Sequence, residues 1–245
     1  IMYMDFLHLA GDQLVNHLPK IHFMSGGKLK APAVIRTQCS LGRNTGAQHS
    51  QFFPSLYMNS PGIMVATPST PSDAKGLLKT AIRGSNPVLF VESAALYSTK
   101  GEVPEEEFLV PFGKADVKRQ GNDVSVVAIS RMVGEALSAA ETLESEGISV
   151  EVIDPRTLIP LDSNSILSSV RKTGRIITAE DSCRTAGVGG EIVAQIAEGA
   201  MDYLEGVDRV SCPDAPAPFS PPLQRTYMPG KETIVRSVKK LVQQL

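Results

Sequence analysis

Apolar positions along the chain fall into two rhythms, short continuous runs and helical spacings, and Gly or Pro punctuates the boundaries between them. The opening Ile1-Met2-Tyr3-Met4-Asp5-Phe6 reads as a strand already under way, after which Leu7, Leu9, Leu14, Val15 and Leu18 give a partly helical pattern ended near Pro19. Residues 33–36 and 63–66 predict short buried strands. Thr70-Pro71-Ser72-Asp73 has the composition of a helix start: a Thr cap, Pro in the first helical position, and Asp where it complements the dipole. The helix is predicted to run to Ile82, with Gly84-Ser85-Asn86-Pro87 ending it before a strand over 88–91. Strand, helix and strand in this order predict a right-handed crossover and a mainly parallel sheet.

Residues 98–122 hold Pro104, Pro111, Gly113, Gly121 and the acidic run Glu102-Val103-Pro104-Glu105-Glu106-Glu107, and read as a linker. Beyond them the alternation resumes. Strands are predicted over 124–129, 150–153, 175–179 and 207–211, and helices over 133–146, 163–173, 190–200 and 232–245. The prolines at 213, 216, 218, 221 and 222 predict an extended loop before the last helix. The expected organisation is an α/β domain over 1–97, a linker over 98–122 and a second, smaller α/β domain over 123–245.

Composition narrows the class. With 42% apolar and 20% charged residues and a net charge of −2, the 245-residue chain has the make-up of a globular protein with no bias towards polyanions or nucleic acid. Cys39, Cys183 and Cys212 are widely spaced and match reduced thiols better than a disulfide framework or a zinc site. No apolar run approaches the roughly 20 residues needed to span a bilayer, and no signal peptide is visible. Residue 1 is Ile rather than an initiator Met, so the chain reads as one whose opening has been removed.

Gly187-Val188-Gly189-Gly190 sits between strand and helix, but the third glycine of a dinucleotide fingerprint would fall on Ile192; close helix–sheet contact accounts for these glycines better. Neither a phosphate-cradling P-loop nor a G-x-S-x-G elbow occurs. His8, His17 and His22 are not spaced as a metal face. His49, in the polar loop Gly46-Ala47-Gln48-His49-Ser50-Gln51 after a strand, is open to two readings: a hydrogen-bonded structural residue, or a proton carrier near neutral pH.

Several segments together resemble one family. Asp12-Gln13-Leu14-Val15-Asn16, Met24-Ser25-Gly26-Gly27, the His49 loop, Asp73-Ala74-Lys75-Gly76-Leu77-Leu78, Asn86-Pro87, Val152-Ile153-Asp154-Pro155-Arg156-Thr157-Leu158, Lys172-Thr173-Gly174-Arg175 and Pro218-Phe219-Ser220-Pro221 follow the order of β subunits of thiamine-diphosphate-dependent 2-oxo acid dehydrogenases. These are the first components of the pyruvate, branched-chain 2-oxo acid and acetoin dehydrogenase complexes. The resemblance spans the whole chain. It implies a transketolase-like pyrimidine-binding domain, with a mainly parallel sheet and helices on both faces, followed by a transketolase-type C-terminal domain.

Carried onto this sequence, the resemblance implies that Phe6 stacks on the aminopyrimidine with Met2 beside it, and that His49 faces the substrate and binds or protonates it. It also implies a potassium ion against backbone oxygens around Ala33, Ala81, Gly84 and Asn86, although Gly84 stands where the family usually has Asp. The family's catalytic glutamate falls upstream of Ile1, and the motif for magnesium and the diphosphate belongs to a partner α subunit. An oxidoreductase active only in an α/β heterotetramer with a second β subunit is therefore expected, passing acyl groups to the lipoyl acyltransferase core. The chain alone is expected to be inactive. Its compartment would be the cytoplasm in a bacterium, or the mitochondrial matrix or plastid in a eukaryote. Two other readings stand beside this one. The first is a part of a transketolase or deoxyxylulose phosphate synthase, for which Arg36 and Arg43 are the basic loop candidates; the second is a non-catalytic assembly module.

Overall fold

Two sheets organise the molecule, described over residues 1–243 in this computed structural model. Helical turns at Met4–Ala10 and Gln13–His17 lead into α1 (Ile21–Met24), β1 (Val34–Cys39), α2 (Ser55–Met58), β2 (Met64–Ala66), α3 (Pro71–Arg83) and β3 (Val88–Ser93). The second half runs β4 (Asp116–Arg119), β5 (Val124–Ala128), α4 (Met132–Glu144), β6 (Val150–Asp154), β7 (Thr157–Ile159), α5 (Ser163–Thr173) and β8 (Arg175–Cys183). It finishes with α6 (Val188–Ala200), β9 (Gly206–Cys212), α7 (Pro221–Tyr227) and α8 (Lys231–Val242).

The first sheet has the order β1-β3-β2-β7 and the second β4-β6-β5-β8-β9. Pairing is parallel except for β7 on β2 and β4 on β6. Both are the mainly parallel α/β sheets that the strand–helix alternation predicts. The central strands β3 and β5 are buried on both faces because helices cover both. In β3, Leu89 and Val91 pack with Met4, Leu7 and Leu14, while Phe90 turns to Leu77 of α3. In the second sheet Val127, Ile153 and Ile176 meet Ile166 of α5 and Ile192 of α6, and Val126, Val152 and Ile177 meet Leu143 of α4 and Ile234 of α8. One cluster contains Val65 and Leu89 from the first sheet and Val127 and Ile153 from the second, so the two halves share a core.

Helix α3 starts as its sequence dictates: Thr70 Oγ1 accepts from the Asp73 amide at 3.1 Å, and Pro71 holds the first position. Four segments depart from expectation. The opening is not a strand. Only Met2 makes a bridge, to Gln38, and Met4–Ala10 winds helically so that Met4 and Leu7, one turn apart, both reach the core. Asp116–Arg119, within the stretch read as linker, is strand β4, and Thr157–Ile159, between Pro155 and Pro160, is strand β7. The proline-rich loop also contains α7, whose prolines sit in its first turn where no amide partner is needed. All three cysteines are free; Cys39 and Cys212 are buried and Cys183 is exposed.

A charged junction joins the halves. Lys118 Nζ of β4 lies 2.8 Å from Asp73 Oδ2 of α3 and 2.6 Å from Asp116 Oδ2, and Arg156 Nη1 lies 3.3 Å from Asp73 Oδ1. Beside them Asp154 is wholly buried and accepts from the Ser69 hydroxyl and the Arg156 amide. Burial pushes the Asp154 carboxyl up to about 6, against the pull of those hydrogen bonds and of Lys118. A folded value above the ordinary 3.8 means that the native state holds a proton the unfolded chain releases. That contribution is complete below pH 3.8 and disappears as pH rises through about 6. Wild-type protein should therefore gain stability relative to Asp154→Asn as pH falls from 7 to 5, measured as the difference in urea midpoints. A difference independent of pH would remove Asp154 as the cause.

Candidate active site

The loop leaving the C-terminal end of β1 carries His49. It closes on itself through the Ser40 amide, which donates to the His49 carbonyl at 3.1 Å, and through the Thr45 and Ser50 hydroxyls, 3.1 Å apart. Asn44 and Gly46 take left-handed backbone conformations, with φ of +56° and +79°. Gly46 is also required by space, since a Cβ there would lie 3.1 Å from the Phe219 ring.

Two aromatic edges hold the His49 imidazole. The Tyr3 ring centroid lies 5.1 Å away at 74° and that of Phe6 5.3 Å away at 79°, both edge-on. Contacts of this kind contribute about 0.5–1.5 kcal/mol each and restrict ring rotation. Phe6 reaches His49 because Met4–Ala10 is helical, not because it lies on a strand. Met2, one residue before Tyr3, is 71% exposed and offers an open apolar surface.

Asp5 completes the group. One carboxylate oxygen accepts from the Gln51 amide at 3.3 Å, and the other is buried without a partner. Burial raises the Asp5 carboxyl above its ordinary range, opposed by the amide hydrogen bonds it accepts and by the charges of His49 and His8. An imidazole, a carboxyl that resists ionisation and an apolar aromatic surface together can hold a flat heterocycle and move protons beside it. Of the sequence candidates, Phe6 contacts His49 and Met2 lies beside Tyr3 in the chain; Tyr3 is not singled out by the sequence, and Asp5 reads there equally as a hydrogen-bond acceptor or a catalyst. Proximity to Phe6 along the chain is the only signal for Tyr3.

The backbone positions Ala33, Ala81, Gly84 and Asn86 lie elsewhere, where α3 ends and β1 and β3 begin. There the Ala33 carbonyl accepts from the Val88 amide at 2.9 Å and the Ala81 carbonyl from the Gly84 amide at 3.2 Å, each leaving a second lone pair. Arg36 is not a free anion-binding group: its guanidinium grips Glu92 at 2.6 and 3.1 Å, and Tyr97 donates to the same carboxylate at 2.7 Å.

Gly187 and Gly189 serve packing, with no room for a Cβ at either. Glu180 of β8 accepts from the Val188 and Gly189 amides at 2.9 and 2.7 Å and so caps α6. A Cβ on Gly189 would lie 2.2 Å from Thr178 Oγ1 and 2.9 Å from Glu180 Oε1. Gly189→Ala should therefore cost about 1–3 kcal/mol in denaturant unfolding; an unchanged midpoint would show that the helix can retreat freely.

Residues 1–100 match the transketolase pyrimidine binding domain, and residues 113–234 match the transketolase C-terminal domain. The acetoin:2,6-dichlorophenolindophenol oxidoreductase subunit beta of Cupriavidus necator is 42% identical, over 98% of this chain and 71% of its own length. The pyruvate dehydrogenase E1 component subunit beta of Bacillus subtilis is 40% identical, over 99% of this chain and 75% of its own. Among solved structures, a split gene transketolase in an inactive β4 tetramer superposes with a TM-score of 0.80 at 25% identity, over 98% of this chain and 74% of that one. With both domain matches in order and relatives of this closeness, the chain belongs to the family of pyruvate and acetoin dehydrogenase E1 β subunits.

Proposed function

We propose that this chain supplies the pyrimidine half of a thiamine diphosphate site for oxidative decarboxylation of a 2-oxo acid, or cleavage of acetoin, followed by reductive acyl transfer to a lipoyl group. The observation that supports it most directly is the edge-on contact between Phe6 and His49, which joins an aromatic surface to a proton carrier within one of the two matched domains. In this reading residues 1–97 form the pyrimidine-binding domain, 98–122 the linker and 123–245 the C-terminal domain.

The residues fit the cofactor's ring. Phe6 and Met2 would bear on the aminopyrimidine, and the unpaired oxygen of Asp5 is a polar group within reach of that end of the chain. When bound, the cofactor supplies carbanion chemistry at the 2-oxo carbon; the protein supplies orientation, proton handling and exclusion of water. His49, steadied by Tyr3 and Phe6, would deliver or accept a proton at its imidazole. An α subunit would hold magnesium and the diphosphate, so the chain by itself would be inactive. Backbone oxygens at Ala33, Ala81, Gly84 and Asn86 would accept potassium. Two β subunits would pair with two α subunits and dock on the lipoyl acyltransferase core, in the cytoplasm of a bacterium or the matrix or plastid of a eukaryote.

Co-expression of the full-length β chain with its cognate α subunit tests the reading. Dye reduction dependent on pyruvate, a branched-chain 2-oxo acid or acetoin is expected. A correctly assembled complex that reduces dye with none of them overturns it.

A further inference from the structure

The His49 loop owes its shape to the other half of the chain. Helix α7 and its flanks, Pro218 to Met228, lie across the loop and touch it at three places. The Met228 Cε and the Phe219 ring fill the space beside Gly42 and Gly46, where a Cβ would stand only 3.4 and 3.1 Å from them. Between these two contacts, Gln224 Oε1 accepts from the Asn44 amide at 3.0 Å.

Gln224 is suited to holding rather than merely touching. Its side chain is 2% exposed, and its amide is used at both ends: Oε1 towards Asn44, and Nε2 donating to the Pro218 carbonyl at 3.2 Å. That second bond fixes which end of the amide faces the loop, and it ties Gln224 to the residue preceding Phe219. Asn44 has the less common left-handed backbone. Among the described residues its amide has no backbone acceptor, and within residues 40–49 it makes the one side-chain-mediated bond to the second half of the chain. Loss of that acceptor would leave a partly buried amide unsatisfied and release the middle of a loop whose far end carries the imidazole.

We infer that Gln224 is a positioning residue for His49: through the Asn44 amide it sets the loop conformation that presents the imidazole between Tyr3 and Phe6. This rests on the proposed function for its kinetic consequence but not for its structural one. Gln224 touches neither the imidazole nor any reacting group, so its effect falls on the rate of the step His49 serves rather than on substrate affinity. Displacing a proton carrier by a fraction of an ångström to 1 Å lowers rates by roughly ten- to a hundredfold.

The test uses the full-length β chain assembled with its α subunit. Gln224→Leu removes the acceptor; Gln224→Glu, held protonated by burial, keeps an oxygen for the Asn44 amide and an O–H for the Pro218 carbonyl. The Leu complex should lose roughly tenfold or more in kcat with KM within about twofold. The Glu complex should recover most of that loss. Hydrogen–deuterium exchange, read by mass spectrometry on the same complexes, should show faster exchange in the peptide containing Asn44 for Leu but not for Glu, with α6 peptides unchanged. Equal kcat and equal exchange in the Leu and wild-type complexes would overturn the inference. So would a kcat loss in the Leu variant with no change in exchange, or an equal loss in the Glu variant whose Asn44 peptide stays protected. If the Leu chain fails to assemble, the Glu variant decides by itself, and wild-type-like kcat and exchange are then required. Should the wild-type complex lack dehydrogenase activity altogether, the function falls, and the exchange arm still decides whether Gln224 holds the loop.

Discussion

Replacing His49 with asparagine should lower kcat for 2-oxo acid- or acetoin-dependent dye reduction by roughly a hundred- to ten-thousandfold, the range a positioned proton carrier supplies. Asparagine is the informative replacement because it keeps a polar side chain of similar reach yet neither titrates nor carries a proton between groups. The loop would survive the change. Its closure runs through the His49 backbone carbonyl and the Thr45–Ser50 hydroxyl pair, none of which belongs to the imidazole. Only the edge contacts with Tyr3 and Phe6 would be weakened, at about 0.5–1.5 kcal/mol each, so the melting temperature should fall by no more than about 12 °C. A loss below threefold, with assembly intact, would remove His49 from proton transfer. A large drop in melting temperature would instead make it a structural residue, the other reading that a loop histidine allows.

The second large effect concerns stability. Arg131 is buried at the start of α4, where its guanidinium reaches both oxygens of the buried Asp181 at 3.0 and 2.5 Å and the Pro229 carbonyl at 2.9 Å. A third nitrogen lies 3.1 Å from Glu135 Oε1, and the other oxygen of Glu135 accepts from the Lys231 amide at 2.9 Å, holding the first turn of α8. Arg131→Met keeps the bulk but strands the Asp181 charge in the interior, a loss of about 3–5 kcal/mol. At roughly 2–4 °C per kcal/mol for a chain of this size, the melting temperature should fall by about 6–20 °C. Adding Asp181→Leu should recover much of the loss, because the removed pair then leaves no buried charge. A double variant no more stable than Arg131→Met would place the effect in the Pro229 and Glu135 contacts instead.

Much of the molecule is legible in the residues alone. Thr70-Pro71 announces α3, Gly174 ends α5 in a left-handed turn, and the apolar runs at 88–91 and 124–128 fall in central strands covered on both faces. Three of the four departures share a cause: the opening, β4 and β7 each take their structure from a partner distant in sequence. The opening residues alternate like a strand, but the core beneath β3 draws Met4 and Leu7 onto one side, and burial overrides the pattern. Asp116–Arg119 is too charged and Thr157–Ile159 too short to read as strands until β6 and β2 pair with them. The candidate site follows the same rule. His49 lies in one of the motifs that carry the resemblance and Phe6 and Met2 precede the first of them, whereas the contacts of Tyr3, Asp5 and Gln224 come from folding alone. No local signal marks a glutamine in a proline-rich stretch as the partner of an amide 180 positions earlier.

Strand β7 carries a consequence for how the halves depend on one another. It comes from the second half of the chain but completes the first sheet, lying antiparallel against β2. Residues 98–122 look like a place to divide the chain, yet a cut there would take the outer strand away from the first sheet. The unpaired backbone of β2 would become a sticky margin, ready to recruit another chain. The two matched domains are thus interlocked rather than beaded, the first finished by a strand that the second half contributes. A mutation that loosens β7 would be felt beyond its own half, at the sheet whose far strand leads into the His49 loop.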